Sequence, residues 1–397
     1  MISVGQAKEI IRESCKPLSP VRSMLENAAG HTLAAEVIAP FDIPGFVQSS
    51  MDGYAFAFVH YVAGTPMKIS GERAAGPSNS DARDFILEPG EACRIFTGAA
   101  LPAGADTVVM QEKTTRQKDQ LMVTDQEIIK GQFVRSIGAE IRQSAQLLPG
   151  GHYLNPPSLS YLAATGITEV SIYPLPVVSV IVTGNEFQPR GNPPEYGLVF
   201  ESNSIGLKAA LNSIGINKVN IFYVSDSLKA TSEILKTALA ESDLIIITGG
   251  VSVGEYDFVV SAAKECGVET RFHRVKQKPG KPLFFGMKDK VPVFGLPGNP
   301  SSVLTCYYEY VLPALERLSL LPFVLKEQPA KLRQPVTKPA GLTHFMKAVY
   351  DNGFVRFLNA QESFRLGSFA NANCLLVIDE EITSVAGDAT VNIHLLP

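Results

Sequence analysis

Leu244-Ile-Ile-Ile-Thr-Gly-Gly-Val-Ser-Val-Gly-Glu-Tyr-Asp257 is the stretch whose reading decides the fold. Its opening apolar run, unbroken by polar residues, reads as a strand buried on both faces. The run enters Gly249-Gly250, and from Asp257 to Cys266 the pattern is helical and closed by Gly267. The same alternation surrounds it. Val177 to Val182 is a strand ending in Thr183-Gly-Asn-Glu186, and Ser204 to Ser213 is a helix stopped near Gly215, with Asn203 as its cap. Val219 to Val224 is a strand ending at Asp226, and Ser227 caps a helix through Ala240. Val291 to Phe294 is a strand entering Pro297-Gly298-Asn299-Pro300, where Asn299 caps a helix and Pro300 takes its first position. Strand–helix alternation of this kind implies a doubly wound parallel sheet with helices on both faces, and such sheets bind ligands outside the carboxyl ends of their strands.

Three segments at those ends carry chemistry: Thr248–Asp257, Lys278-Pro-Gly-Lys-Pro282 and Gly295–Ser302. Glycine lets backbone approach a ligand closely, and free N–H groups attract anions. Lys276, Lys278 and Lys281 add positive charge, and Asp257 would hold a metal ion against a phosphate. One such segment alone is a tight turn. Three together point to a site for a phosphorylated small molecule.

The rest of the chain bounds that reading. With 397 residues it is too long for one ordinary core. A net charge of −4, with the signs interspersed, argues against a surface built to coat nucleic acid. No apolar run approaches the ~18 residues that span a membrane, and Met1 to Cys15 carries charges that exclude a signal peptide. The five cysteines are scattered without a C-x-x-C pair, which fits reduced thiols in the cytoplasm. No histidine–cysteine cluster supports a transition metal, whereas oxygen-ligated magnesium stays open. Residues 3–15 and 17–29 read as two helices, 54–134 as an all-β module rich in turns, Ser158 to Gly166 as a helix, and 328–397 as a small β-barrel or sandwich.

The ordered set Pro44-Gly-Phe46, Ser50-Met-Asp-Gly-Tyr-Ala55, Thr97-Gly-Ala99, Leu101-Pro-Ala-Gly-Ala-Asp106, Thr183–Glu186, Ser202-Asn203, Thr248–Asp257, Lys278–Pro282 and Gly295–Pro300 resembles the MoeA/gephyrin E-domain family of molybdopterin molybdenumtransferases. Ser363 to Asn373 resembles that family's C-terminal domain, so the likeness runs the length of the chain. It implies four parts: a linking domain from 1–39 plus 136–172, an inserted β-rich domain at 40–135, an αβ molybdopterin-binding domain at 173–316, and a β-barrel at 317–397. The implied activity inserts molybdate, as co-substrate, into adenylylated molybdopterin with release of AMP and with the help of Mg2+. Also implied are a cytoplasmic homodimer with clefts shared between subunits, and a separate molybdopterin adenylyltransferase. By family position Asp52, Thr97, Glu186, Asp226 and Asp257 are the catalytic candidates, and the last three carboxylates the metal candidates. Gly249, Gly250, Ser252, Gly254, the three lysines, Pro297 to Pro300 and Glu140 would bind substrate.

Two departures stand out. Gly138-Ala-Glu-Ile141 replaces the usual Gly-Glu-Asp-Ile, and Thr183-Gly-Asn-Glu-Phe187 loses a carboxylate at Asn185. A non-catalytic molybdopterin-binding or scaffold paralogue is therefore the competing reading. A hydrolase sharing only the αβ domain is a third, and the motifs at Asp52 and Thr97 speak against it.

Overall fold

The computed structural model describes residues 1–76, 85–251, 258–322 and 325–397. Its centre is a six-stranded sheet in the order Val219–Val224, Val178–Thr183, Leu244–Thr248, Val291–Leu296, Phe284–Lys288 and Glu269–His273. The first four strands are parallel, and Phe284–Lys288 alone runs against its neighbours. Alternate side chains go to opposite faces, as strand geometry requires. Val178, Val180, Val182, Leu244 and Ile246 join a core with the helix Asn203–Ser213 and the rod from Pro300 to Ser319. Ile181, Ile245 and Ile247 join a second core under Leu228–Glu241 and Phe258–Glu265. Cover on both faces explains the unbroken apolar runs.

The first helix, Val4–Ser14, also packs here, burying Ala7 and Ile11 in the αβ core. The second expected helix, 17–29, does not form. Val21–Met24 is a strand paired antiparallel with Glu169–Tyr173, followed by a single 3-10 turn at Leu25–Asn27. Pro17 and Pro20 interrupt any helix there, and ladder pairing to a distant strand supplies the backbone bonds instead. That pairing, with Val37–Ile38 against Gln146–Leu148, joins the start of the chain to residues 146–173.

Between these lies a second six-stranded sheet, ordered Thr107–Met110, Gly53–Phe56, Glu91–Ile95, Met67–Arg73, Gln120–Val123 and Thr114–Gln117. Gly53 must be glycine, because a Cβ there would run into the Val109 carbonyl of the paired strand. At the C-terminus five strands close on themselves in the order Thr343–Asp351, Phe354–Phe357, Lys326–Leu332, Thr390–Leu395 and Cys374–Ile378, which pairs back to the first. No helix among the described residues is long and apolar enough to cross a membrane.

Candidate functional site

Register places the loops after Thr183, Val224, Thr248 and Leu296 along one edge of the central sheet. The strand order reverses between Val178–Thr183 and Leu244–Thr248, and a cleft of about 530 Å³ opens at that point. Its walls include Glu186, Gly249, Gly298, Asn299 and Pro300. Gly249 donates its N–H to Leu296 O (3.1 Å), which ties the glycine loop to the Pro-Gly-Asn-Pro turn. Two buried polar atoms on the wall, Thr248 Oγ1 and Asn203 Oδ1, have no hydrogen-bond partner among the described residues. Unpaired buried polar atoms of this kind mark a place where a polar ligand or water completes the bonding.

Gly249 has φ +88°, and a Cβ on it would meet Thr183 Oγ1 at 2.7 Å and Thr183 O at 2.8 Å. Gly249→Ala is expected to cost about 1–3 kcal/mol through left-handed backbone strain alone, and more through the clash. Its thermal midpoint should fall and ligand binding in the cleft should be lost. A variant with wild-type stability and binding would show that the loop tolerates a side chain.

Neither asparagine acts as a side-chain cap. Asn203 is the first helical residue, not the cap, and its Nδ2 donates to Gly298 O (2.9 Å), fixing the turn. Asn299 stands at the cap position, but its Nδ2 donates to Ser363 Oγ (2.9 Å) in the C-terminal domain. Glu201 does the work at Asn203–Ser213: its carboxylate accepts from Ser204 N (2.7 Å) and Ser204 Oγ (2.6 Å), and Arg190 pairs with it at 2.9 Å. An acidic residue just before a helix start was the available signal for Glu201. Nothing in the sequence paired Ser363 with Asn299.

Lys276, Lys278 and Lys281 sit on the loop between Glu269–His273 and Phe284–Lys288, at the same edge of the sheet but not on the cleft wall. Gln277–Lys278 adds a parallel strand to the barrel beside Thr343 and His344. Lys276 lies 3.6 Å from Glu380. Burial, together with Lys338 and Lys278, pushes the His344 imidazole down to about 4, so it stays neutral among these cations.

Asp226 is exposed, and its N–H donates to Asn185 Oδ1 (3.3 Å). The helix cap beside it is Ser227, whose hydroxyl accepts from Ala230 N (3.4 Å). Asp226 does not line the cleft that Glu186 lines. Among the described residues no three His, Cys, Asp or Glu side chains come together as a metal site. Ser252, Gly254 and Asp257 lie outside the described residues.

Asp52 and Thr97 do meet. Thr97 donates to Asp52 Oδ1 from its backbone N–H (2.7 Å) and from Oγ1 (2.8 Å). These bonds hold the Asp52 carboxyl below its ordinary range. The pair is exposed on the β-rich module and does not line the αβ cleft of the same chain. Glu140 lines a different groove of about 630 Å³ with Ile43, Pro44, Arg135 and Tyr161. Its N–H donates to Ile43 O (2.9 Å), so it stands at the base of the β-rich module.

Three family matches cover most of the chain: the MoeA N-terminal region (domains I and II) over residues 2–166, the probable molybdopterin-binding domain over 179–317, and the MoeA C-terminal region (domain IV) over 329–396. The chain is 30% identical to the molybdopterin molybdenumtransferase of Haemophilus influenzae, with both chains covered in full. It is 32% identical to molybdopterin molybdenumtransferase 2 of Mycobacterium tuberculosis, with 99% of each covered. Among solved structures, the molybdopterin biosynthesis MoeA protein from Pyrococcus horikosii superposes with a TM-score of 0.84 at 26% identity, covering 100% of this chain and 99% of that one. Every part of the fold has its counterpart in these proteins, and the chain belongs to the MoeA family of molybdopterin molybdenumtransferases.

Proposed function

We propose that the protein is a transferase of molybdenum-cofactor biosynthesis that takes adenylylated molybdopterin and molybdate and releases AMP. The observation that carries this reading is the cleft at the strand-order reversal, with Gly249 and the Gly298–Pro300 turn on its wall and a full-length likeness to molybdenumtransferases behind it. Gly249, Gly250 and the Pro297–Pro300 turn present close backbone to a phosphate. Lys276, Lys278 and Lys281 supply positive charge along the same edge, where an oxyanion such as molybdate is attracted. By family position Ser252 and Gly254 would also bind the phosphate.

Magnesium is usually held by one or two carboxylates together with substrate phosphate and water. The donors here suit that pattern: Glu186 stands exposed on the cleft wall, and Asp226 stands at the neighbouring strand end. Glu186, Asp226 and Asp257 would hold the ion, and when bound it neutralises charge developing on the phosphate oxygens. The Gly249 loop and the Pro297–Pro300 turn would orient the phosphate in the cleft.

Asp52 and Thr97 would act from the β-rich module of a second subunit in a homodimer, and Glu140 would position substrate at the base of that module. The five free cysteines fit work in the cytoplasm, downstream of a separate molybdopterin adenylyltransferase. Purified protein given adenylylated molybdopterin and molybdate is expected to release AMP only when both are present, and to restore nitrate reductase activity in a strain lacking molybdenum insertion. Binding of the substrate without AMP release would favour the scaffold reading that the losses at Ala139 and Asn185 permit.

A further inference from the structure

Phe364 is 63% exposed and lines the αβ cleft beside Gly298, Asn299 and Pro300, although it belongs to the C-terminal domain. Single exposed apolar side chains are ordinary. The setting of this one is not, because its loop is pinned from both sides. Ser301 donates its N–H to Ser363 O (3.1 Å), and Asn299 Nδ2 donates to Ser363 Oγ (2.9 Å). Beneath the loop, Lys347 is only 2% exposed, and its Nζ donates to the carbonyls of Ala360 (2.8 Å), Glu362 (3.3 Å) and Arg365 (2.9 Å). A buried ammonium with three carbonyl partners fixes a loop whose own residues are largely polar. The Arg365 guanidinium lies over the Phe364 ring, 5.4 Å from its centroid, and limits its swing.

We infer that Phe364 is a stacking platform for a flat nitrogen heterocycle of the substrate, with Lys347 as the residue that positions it. The inference rests on the proposed function, whose substrate carries two such rings, pterin and adenine, each joined to phosphate. A phosphate at Gly249 and the Gly298 turn keeps the attached rings inside the same 530 Å³ cleft, where Phe364, Phe200 and Val199 form the apolar wall. An aromatic face binds any planar heterocycle with little regard to its hydrogen-bonding edge, so the stacking supplies affinity and the polar wall supplies selection.

The chain contains no tryptophan, so Phe364→Trp introduces a single fluorescent reporter at this position. Titration of that variant with AMP, with pterin-6-carboxylate and with molybdate alone should quench its emission for at least one of the two rings and not for molybdate. The ring that quenches identifies which half of the substrate stacks. In AMP-release assays Phe364→Leu, which keeps bulk but loses the π face, should raise KM about tenfold with little loss in kcat, and Phe364→Tyr should restore most of the lost affinity. A Leu variant with wild-type KM, or a Trp variant unmoved by both rings, overturns the inference. Failure of the unsubstituted protein to release AMP overturns the proposed function instead, and the fluorescence titration still decides whether a ring binds at Phe364.

Discussion

Mixed and exchanged, Asp52→Ala and Glu186→Gln chains are expected to recover about a quarter of wild-type activity, although each variant alone is inactive. The expectation starts from where the structure puts the two carboxylates. Glu186 lines the αβ cleft, whereas Asp52, anchored by two hydrogen bonds from Thr97, stands exposed on the β-rich module and away from that wall. Those bonds lower the pKa of the Asp52 carboxyl from its ordinary value and fix its orientation. In a two-fold symmetric dimer that sets the β-rich module of one chain against the αβ cleft of the other, each mixed dimer has one cleft with both lesions and one with neither. Random exchange makes about half the dimers mixed, and half of their clefts are intact, which yields about a quarter by symmetry alone. Asp52→Ala removes an exposed acceptor and leaves Thr97 to water, so the variant should fold normally. If exchange is demonstrated by a tag and no activity returns, each cleft is built within one chain.

Much of the αβ domain was legible because a strand covered on both faces leaves an unmistakable record. Leu244–Thr248 is apolar up to its closing threonine and Val178–Thr183 carries only Ser179 before its own, with every position buried, and the glycines that follow them mark the edge where ligands bind. Capping was less legible. An asparagine before a helix reads as a cap, but Asn203 and Asn299 spend their amides on Gly298 and Ser363, contacts set by tertiary packing. The Val21–Met24 strand was hidden for the same reason, since its partner lies at Glu169–Tyr173 and no local pattern announces a pairing at that separation. Phe364 was invisible as a site residue. Its place on the cleft depends on Lys347 organising a loop in one domain against a turn in another.

Loss of the His394 side chain is expected to destabilise the protein by about 1–3 kcal/mol, the range for leaving a buried polar group short of a hydrogen-bond partner. Glu309 is wholly buried in the rod that leads from the αβ core to the barrel. Its Oε1 accepts from His394 Nδ1 (2.7 Å) on the last barrel strand, and its Oε2 pairs with Lys8 Nζ (2.7 Å) on the first helix. Three separate elements thus converge on one carboxylate, with Glu327 adding a second, exposed carboxylate 3.8 Å from Lys8 and 3.4 Å from His394 Nε2. Burial pushes the Glu309 carboxyl up, but the His394 hydrogen bond and Lys8 outweigh it, so its pKa lies below 4.5 in the fold. A carboxylate with a depressed folded pKa contributes stability that is complete above its unfolded value and is lost as pH falls through the folded one. The Glu309 contribution should therefore be lost only as pH falls through its lowered folded pKa, and His394→Leu should move that loss to higher pH while lowering the thermal midpoint at neutral pH. The double variant His394→Leu/Glu309→Leu should recover most of the lost stability, because an apolar pair removes the buried carboxylate together with its lost hydrogen bond, while Lys8 keeps Glu327 within 3.8 Å. A double variant no more stable than His394→Leu would mean that packing around the rod, and not the buried charge, joins the helix, the αβ core and the barrel.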